Sequence, residues 1–321
     1  MYFKTCKPEH RTGDKVVRSD FHLIEDKFSA EPIPPIPEKV HINPSKVLIG
    51  EKLFHDSMLS SDKTISCASC HDLKKGGTDQ SQFSVGVNSL KGLINTPTVF
   101  NAGFNFKQFW DGRANDLKTQ AQGPLFAKHE MGNSNWHDIL NYLNASKEYR
   151  LLFKRIYPMP ITKETFLDAL GEYGKSLITP NSRFDQYLKG DNFALNSLEL
   201  EGYHLFKTRG CISCHQGVNM GGNMFQKAGI FEAISDEQSV SWDGRYTVTQ
   251  DDADKGLFKV PTLRNIALTP PYFHDGSAKT LEDSVTIMGR AQLGTELSAD
   301  EINKIVAFLK SLTGEYKNQP L

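Results

Sequence analysis

The chain has 321 residues, of which 38% are hydrophobic and 23% are charged, and its formal net charge is −1. This length is enough for two ordinary domains, each with its own core. The near-zero charge gives no basis for binding nucleic acid or an anionic membrane surface, and no run of about eighteen apolar residues predicts a transmembrane segment.

The first 43 residues are predicted to form an extended segment. Residues 31–44, EPIPPIPEKVHINP, hold five prolines in fourteen positions, which excludes a regular helix. The N-terminus, MYFKTCKPEH, lacks the apolar stretch of a signal peptide and is interpreted as the start of a mature chain. The residues before Cys6 match a lipid-anchor signal poorly, so Cys6 is interpreted as an unpaired thiol.

Apolar residues that recur with a helical period predict a mainly α fold. Strand signals are few. In chain order, the predicted helices span residues 44–55, 136–144, 146–156, 162–178, 196–208 and 298–313.

Two short motifs carry the clearest chemical information. Each has the pattern Cys-x-x-Cys-His, which indicates covalent attachment of a c-type haem. The two thiols bond to the haem vinyl groups, and the histidine ligates the iron. Since bacteria attach such haems outside the cytoplasmic membrane, we expect an exported protein. The first motif consists of Cys67, Cys70 and His71, and the second of Cys211, Cys214 and His215.

The sequence repeats itself around these motifs. Residues 97–111 match residues 261–275 at a constant offset of 164, and a Leu-Phe pair precedes each haem motif. A helix before the motif, a loop-rich middle and a closing helix are typical of a cytochrome c domain. The repeat therefore predicts two tandem cytochrome c-like domains, over residues 44–180 and 181–321, each with one haem.

The sixth ligand of each iron decides what that haem does. A methionine sulfur gives an electron-transfer centre, whereas an open position can bind a small molecule. Met288 follows the matched stretch of the second half in the helix-like run SVTIMG and is predicted to be the ligand there. Met220 and Met224 lie within ten residues of His215, which is too close in sequence for either to reach the opposite face of the haem. The alternative is that Met288 only packs in the core.

In the first half, the offset of 164 places Pro124 at the position of Met288. Proline cannot ligate iron. Met131 and Met58 are nearby substitutes, but neither is in register with the repeat. The sequence therefore predicts one closed haem and one open haem.

Three side chains in the first half are candidates for chemistry at an open haem. If the small molecule bound at the open haem is a peroxide, Glu130 could move a proton from one of its oxygens to the other. The alternative is that Glu130 is a solvated loop residue. Gln120, one helical turn before Pro124, could donate a hydrogen bond to a bound oxygen or be an exposed helix residue. Trp110 matches His274 in the repeat and could carry electrons between the haems, although packing is the commoner role of tryptophan.

These features resemble the bacterial dihaem cytochrome c peroxidases over roughly residues 30–315. The resemblance is carried by CASCH, NTPTVFNAGFNFKQFWDGRANDL, GCISCHQGVNMGGNMFQKAG, FKVPTLRNIALTPPYFHDG and IMGRAQLGTELS. It implies a periplasmic homodimer that reduces hydrogen peroxide to water with electrons from a small cytochrome c or a cupredoxin. Electrons would enter at the haem of His215 and Met288 and pass to the haem of His71.

The resemblance also implies roles for individual residues. Glu130 corresponds to the catalytic acid–base, Gln120 to its partner in the distal pocket, and Trp110 to the tryptophan between the haems. A calcium ion between the domains would be bound by the side chain of Asn95 and the backbone carbonyls of Thr269 and Pro271. Such an oxygen set suits calcium.

One position departs from the family pattern. Many members have a loop histidine that occupies the sixth site of the resting peroxidatic haem, and counting back from residues 95–97 places Val87 there. The chain has no histidine between His71 and His129. We therefore expect the first haem to be five-coordinate or water-bound in the ferric protein, so that no reductive activation is needed.

Two alternative functions remain open. One is that of the related MauG type of dihaem enzyme, which oxidises a protein substrate and ligates its second haem with tyrosine. Met288 favours the peroxidase, because a thioether stabilises the ferrous state. The other is a non-catalytic dihaem electron carrier or sensor, against which Glu130, Gln120 and Pro124 argue.

Overall fold

The structure, a computed structural model, describes residues 31–234 and 243–321. These residues are mainly helical, with short strands in two antiparallel pairs. Cys6 and most of the predicted N-terminal segment lie outside the described residues, and residues 31–43 have neither helix nor strand. No helix in these two ranges has the length and apolar character needed to cross a membrane.

The described helices and strands follow in chain order. The helices are α1 Pro44–Phe54, α2 Cys67–Cys70, α3 Leu117–Gln120, α4 Gln122–Phe126, α5 Trp136–Ala145, α6 Lys147–Phe153, α7 Lys163–Ser176, α8 Arg183–Leu188, α9 Ser197–Thr208, α10 Tyr246–Thr249, α11 Leu281–Leu293 and α12 Ala299–Lys310. The strands are β1 Phe225–Lys227, paired with β2 Leu257–Lys259, and β3 Glu315–Tyr316, paired with β4 Gln319–Pro320.

The six predicted helices are confirmed as α1, α5, α6, α7, α9 and α12, with ends that differ by at most three residues. All six begin after a capping residue whose side chain accepts a backbone N–H of the first turn, namely Asn43, Asn135, Ser146, Thr162, Asn196 and Ser298. Helices of four to six residues escape prediction because they contain less than two helical turns. The longer α11 is predicted only as the run around Met288.

The core of the first half lies between α1 and α7. Phe166, Leu170 and Tyr173 of α7 are buried there. The two helix backbones approach closely, because a Cβ atom built on Gly50 of α1 would collide with the carbonyl oxygen of Ala169. Glycine at this point lets the helix before the haem motif contact the closing helix of the same half.

The second half repeats this arrangement with α9 and α12. A Cβ atom built on Gly202 of α9 would collide with the carbonyl oxygen of Lys304 in α12. Phe206 of α9 and Phe308 of α12 are buried, with ring centroids 5.3 Å apart. Ile33, from the segment before α1, joins this second core. The two cytochrome c-like domains expected from the repeat thus have separate cores and equivalent helix contacts.

The repeat is also visible in the backbone. Left-handed φ angles, which few non-glycine residues adopt, recur at the offset of 164. The pairs are Asn101 (φ 59°) with Asn265 (φ 62°), Phe109 (φ 70°) with Phe273 (φ 70°), and Gly112 (φ 69°) with Gly276 (φ 64°). Equivalent loops after the two haem motifs therefore follow the same path.

A buried hydrogen-bond network joins the halves. The Thr179 hydroxyl accepts from the side-chain amide of Asn101 at 2.7 Å and from that of Asn265 at 2.9 Å. Two equivalent asparagines, one from each half, thus share a single partner. The domain boundary near residue 180 stays a prediction. Thr179, next to it in sequence, contacts equivalent residues of both repeats.

Candidate active site

The first haem motif lies on one helical turn. Cys67 and Cys70 are the first and last residues of α2, and His71 follows directly. The Nδ1 atom of His71 is 3.2 Å from the carbonyl oxygen of Gly77. Burial lowers the pKa of His71, which favours the neutral ring. A neutral ring that donates from Nδ1 leaves the Nε2 lone pair available to ligate iron.

The second haem motif has the same arrangement. The Nδ1 atom of His215 is 3.2 Å from the carbonyl oxygen of Met220, and burial lowers the pKa of His215 to about 4. The ring is therefore neutral at physiological pH, with Nε2 available. Cys211 and Cys214 precede it in a short turn. Both motifs fit c-type haem in their residue types and in the hydrogen bond that orients the ligand.

A cavity in the second half is lined by both cysteines and His215 of this motif, and also by Met288 of α11. Its apolar wall includes Phe206 and Leu309. Met220 is fully buried in the second core. This geometry agrees with the prediction that Met288, and not Met220, is the sixth ligand, an assignment that stays a prediction.

The side chain of Gln292 also lines this cavity. The Nε2 atom of Gln292 is buried and makes no hydrogen bond to any described residue, whereas its Oε1 atom accepts from the Gly229 backbone at 3.0 Å. Buried polar atoms are almost always satisfied. Haem carries hydrogen-bond acceptors, so a haem bound in this cavity would satisfy the Nε2 atom of Gln292.

Glu130 lies near the first haem motif. Burial raises the pKa of the Cys67 thiol to about 12, and the neighbouring Cys70 thiol and the Glu130 carboxylate add to this rise. Glu130 also raises the pKa of Cys70, after the larger effects of burial. The pKa of Glu130 is itself raised by burial, which the charges of Arg113 and His129 partly oppose. The effect of Arg113 on the pKa of Glu130 could not be predicted from the sequence pattern.

The loop that carries Val87 packs against Glu130. The backbone N–H of Val87 donates to the carbonyl oxygen of Glu130 at 2.9 Å, and the Val87 side chain is buried. A Cβ atom on Gly132 would lie 2.6 Å from the Val87 side chain. The structure thus brings together the position of the missing loop histidine and the predicted acid–base residue, which are 43 residues apart in sequence.

Gln120 and Pro124 lie before this segment. Gln120 is the last residue of α3 and is half-buried, and Pro124 lies within α4. The Pro124 carbonyl oxygen accepts the backbone N–H of Met131 at 3.1 Å, which holds the turn containing Glu130 against α4. The described contacts do not include a direct hydrogen bond from the side chain of Gln120 to Glu130.

Trp110 lies between elements of the two halves. Its Nε1 atom donates to the Asn95 carbonyl oxygen at 2.9 Å, and its own carbonyl accepts the backbone N–H of Lys259 at 2.8 Å. Its ring lies edge-on to His274, with centroids 6.3 Å apart. The two residues that match in the repeat therefore contact each other, and Trp110 lines the cavity that contains His215.

The predicted calcium ligands line the same cavity. The amide nitrogen of Asn95 donates to the carbonyl oxygens of Ser81 and Gln82 at 3.1 and 3.2 Å, which leaves its Oδ1 atom to accept. Among residues 31–234 and 243–321, this oxygen and the carbonyl oxygens of Thr269 and Pro271 accept no hydrogen bond. Three neutral oxygen donors without partners fit a hard cation.

Comparisons with known proteins find similarity to cytochrome c peroxidases with two haems. The family model described as di-haem cytochrome c peroxidase matches residues 44–193, and that of cytochrome c matches residues 200–313. Cytochrome c551 peroxidase of Nitrosomonas europaea is 47% identical over 89% of this chain and 85% of that protein. Cytochrome c peroxidase Ccp of Escherichia coli is 45% identical over 93% of this chain and 65% of that protein.

Solved structures show the same fold. A MauG-like protein associated with microbial copper homeostasis has a TM-score of 0.78 and 28% identity over 88% of this chain and 93% of that one. The diheme peroxidase BthA of Burkholderia thailandensis has a TM-score of 0.74 at 20% identity, over 85% of this chain and 87% of that one.

Proposed function

The chain belongs to the bacterial di-haem cytochrome c peroxidase family, and we propose how its two halves divide the reduction of hydrogen peroxide. It is an oxidoreductase that acts on peroxide, with two c-type haems. When bound, the haems supply the iron that binds peroxide and the storage of the electrons that reduce it. Each peroxide takes up two electrons and two protons and leaves as two waters.

The half that contains His215 and Met288 receives electrons from a small cytochrome c or a cupredoxin. The half that contains His71 binds peroxide. Trp110, which contacts residues of both halves, lies on the route between them. This assignment follows from Met288 in the second cavity and from Pro124 at the equivalent position of the first half.

The observation that carries the proposal is the partly buried position of Glu130 near the first haem motif. Its carboxylate takes a proton from one peroxide oxygen and delivers it to the other, which then leaves as water. Its nearness to Cys67 and Cys70 supports this role, because those residues mark the edge of the first haem site. A pKa raised by burial brings the group closer to the working pH, where proton transfer in both directions is efficient. Gln120 assists by donating a hydrogen bond to the bound oxygen.

Steady-state turnover with peroxide and a reduced small cytochrome tests this role. Glu130→Gln keeps the shape but removes the proton transfer, so turnover should fall by roughly 10²–10⁴-fold. The matched control is Lys128→Gln, an exposed neighbour that should leave turnover unchanged. Full turnover in Glu130→Gln, with both haems present, would refute the acid–base assignment.

We further propose that the enzyme is active without prior reduction. A histidine at position 87 could ligate the first iron, whereas valine cannot. The hydrogen bond from Val87 to Glu130 supports a loop that is already seated on the acid–base segment. A ferric protein with this arrangement should show a high-spin signal in its electron paramagnetic resonance spectrum. Two low-spin signals without a high-spin signal would contradict the proposal.

The matched variant for this experiment is Val87→His. It introduces an imidazole where many family members have one, so the high-spin signal should decrease and turnover should begin only after a lag that pre-reduction removes. An unchanged spectrum in Val87→His would show that position 87 does not reach the iron.

The remaining parts of the proposal concern location and assembly. The protein functions in the periplasm as a homodimer. One Ca²⁺ ion is held by Asn95, Thr269 and Pro271, whose three unpartnered oxygens support this assignment. The ion would tie the loop before Trp110 to the loop before α11.

The protein-oxidising alternative has less support. Relatives of that type ligate the second haem with tyrosine, but α11 contributes Met288 to the cavity and contains no tyrosine. A non-catalytic carrier would not require a carboxylate with a raised pKa beside the first haem motif. We therefore retain the peroxidase as the proposed function.

A further inference from the structure

Lys259 is a buried cation whose side chain has no partner in the part of the chain that the structure describes. It is the last residue of β2, it is 6% exposed, and it lines the cavity that contains His215 and Met288. Its backbone N–H donates to Trp110, but its side-chain amine makes no hydrogen bond or ion pair with any residue in the described ranges. Burial alone lowers the pKa of Lys259 to about 8. The amine therefore still carries a positive charge at neutral pH.

A buried ammonium group without a counter-ion reduces the stability of the folded protein. Lysine is almost never fully buried unless it is paired, because removing an ammonium group from water costs several kcal/mol or more. Other partly buried lysines of this chain follow the rule, for example Lys46 with Asp168 at 2.6 Å and Lys304 with Glu201 at 2.9 Å. Lys259 is an exception, because residues 31–234 and 243–321 supply no anion for its side chain.

The cavity identifies the chemical class of that anion. It is lined by the two cysteines that attach the second haem, and a haem carries two propionate carboxylates at the edge away from its vinyl groups. Gln292, a second buried donor without a partner, lines the same cavity. We infer that Lys259 is the counter-ion of a propionate of the haem attached to Cys211 and Cys214. This inference rests on the presence of the second haem and not on peroxide cleavage in the first half.

A cation at this position affects electron uptake. Without Lys259, the buried carboxylate would favour the ferric iron, which has one more positive charge than the ferrous iron. Lys259 compensates the carboxylate and so keeps the second haem easier to reduce. The residue is thus a positioning residue that acts on the electron-accepting half and does not contact peroxide.

The test is a spectroscopic redox titration of the complete protein with both haems. Lys259→Met removes the charge but keeps a long apolar side chain, and should lower the equilibrium constant for reduction of the second haem about tenfold, equivalent to about 59 mV for a one-electron couple. The potential of the first haem should not change. Lys259→Arg keeps the charge and should retain the wild-type potential.

The matched control is Lys279→Met, which removes the same charge from an exposed position that does not line this cavity. It should leave both potentials unchanged. Loss of the second haem from Lys259→Met but not from Lys259→Arg would also support the inference. An unchanged potential in Lys259→Met, equal effects of the two Lys259 variants, or a shift confined to the first haem would overturn it. Turnover is not measured, so failure of the Glu130 assignment would leave this result unaffected.

Discussion

Glu130 combines an environment that is unfavourable for a charge with a proposed role in proton transfer. Its burial raises its pKa, and the positive charge of Arg113 opposes that rise. Neither effect could be inferred from the sequence KHEMG, where glutamate is most often solvated. The balance between burial and Arg113 should therefore be visible in the pH dependence of the enzyme.

The first prediction concerns that pH dependence. Glu130 must be a carboxylate to accept the first proton, so kcat/KM should fall as the pH decreases through its raised pKa. Arg113→Gln removes a charge that lowers this pKa, so the acidic limb of the profile should move to higher pH. Profiles of kcat/KM against pH measure the shift. The control is the exposed Arg155, where substitution by glutamine should leave the profile in place; a shift to lower pH in Arg113→Gln would contradict the prediction.

The second prediction concerns Trp110. Trp110→Phe removes the hydrogen bond to Asn95 and the indole ring between the halves, so electrons stored in the second half should reach peroxide more slowly. The lost hydrogen bond should also cost about 0.5–1.5 kcal/mol of stability. Single-turnover stopped-flow absorbance of the half-reduced protein measures the rate.

Trp136 provides the comparison for this experiment. It packs edge-on against Phe126 and Phe166 in the first core, with centroids 5.3 and 5.5 Å apart. Trp136→Phe should lower the unfolding temperature without slowing the transfer. Equal rates in Trp110→Phe and the wild type would exclude Trp110 from the route.

At the level of elements, the two halves depend on the same contact between a helix before the haem motif and a closing helix. Gly50 and Gly202 permit it, because each lies against a backbone carbonyl of the partner helix. A carbonyl within a helix cannot move aside without breaking hydrogen bonds. The contact therefore depends on glycine more strongly than a side-chain contact would.

The third prediction follows from this contact. Gly202→Ala should gain about 1 kcal/mol in helix propensity. It should lose more through the collision with Lys304, since overpacking a core costs about 1–3 kcal/mol and the obstructing atom is backbone. The expected result is a lower midpoint of urea unfolding. Gly103→Ala is the control, because its nearest neighbour, the Cα atom of Lys175, would be 3.5 Å away; greater stability in Gly202→Ala would contradict the argument.

At the level of the whole molecule, Thr179 joins the two repeats. Its hydroxyl satisfies the amides of Asn101 and Asn265, both of which are buried. The fourth prediction is that Thr179→Val destabilises the protein by about 1–3 kcal/mol for each amide left without an acceptor. Thr179→Ser keeps the hydroxyl and should cost much less. Chemical denaturation of the haem-containing protein measures both, and equal stabilities of the valine and serine variants would show that the shared hydroxyl is unimportant.

The fifth prediction concerns calcium. A site that binds only the folded protein should stabilise it by about 2.7 kcal/mol when Ca²⁺ is present at 100 times its Kd. Removal of Ca²⁺ with a chelator should therefore lower the unfolding temperature, and Asn95→Ala should abolish the response. Asn141→Ala, on the exposed face of α5, should respond to the chelator as the wild type does. A wild-type protein that is indifferent to the chelator would exclude the site.

Features that depend on short spacing could be predicted from the sequence alone. The haem motifs occupy five consecutive positions, the six main helices have a local period, and the repeat is a constant offset along the chain. Each can be detected without knowing which distant residues meet. The helices of one turn could not be predicted, because four residues contain too little of a period to distinguish a helix from a loop.

Which distant residues share an environment could be known only from the folded protein. It placed the buried cation Lys259 in the cavity with His215, Val87 against Glu130, and Trp110 against His274. These contacts depend on how helices and loops pack, and packing is set by the sum of many weak interactions over the whole chain. Burial and the absence of a partner, which give Lys259 its proposed role, exist only after the chain has folded.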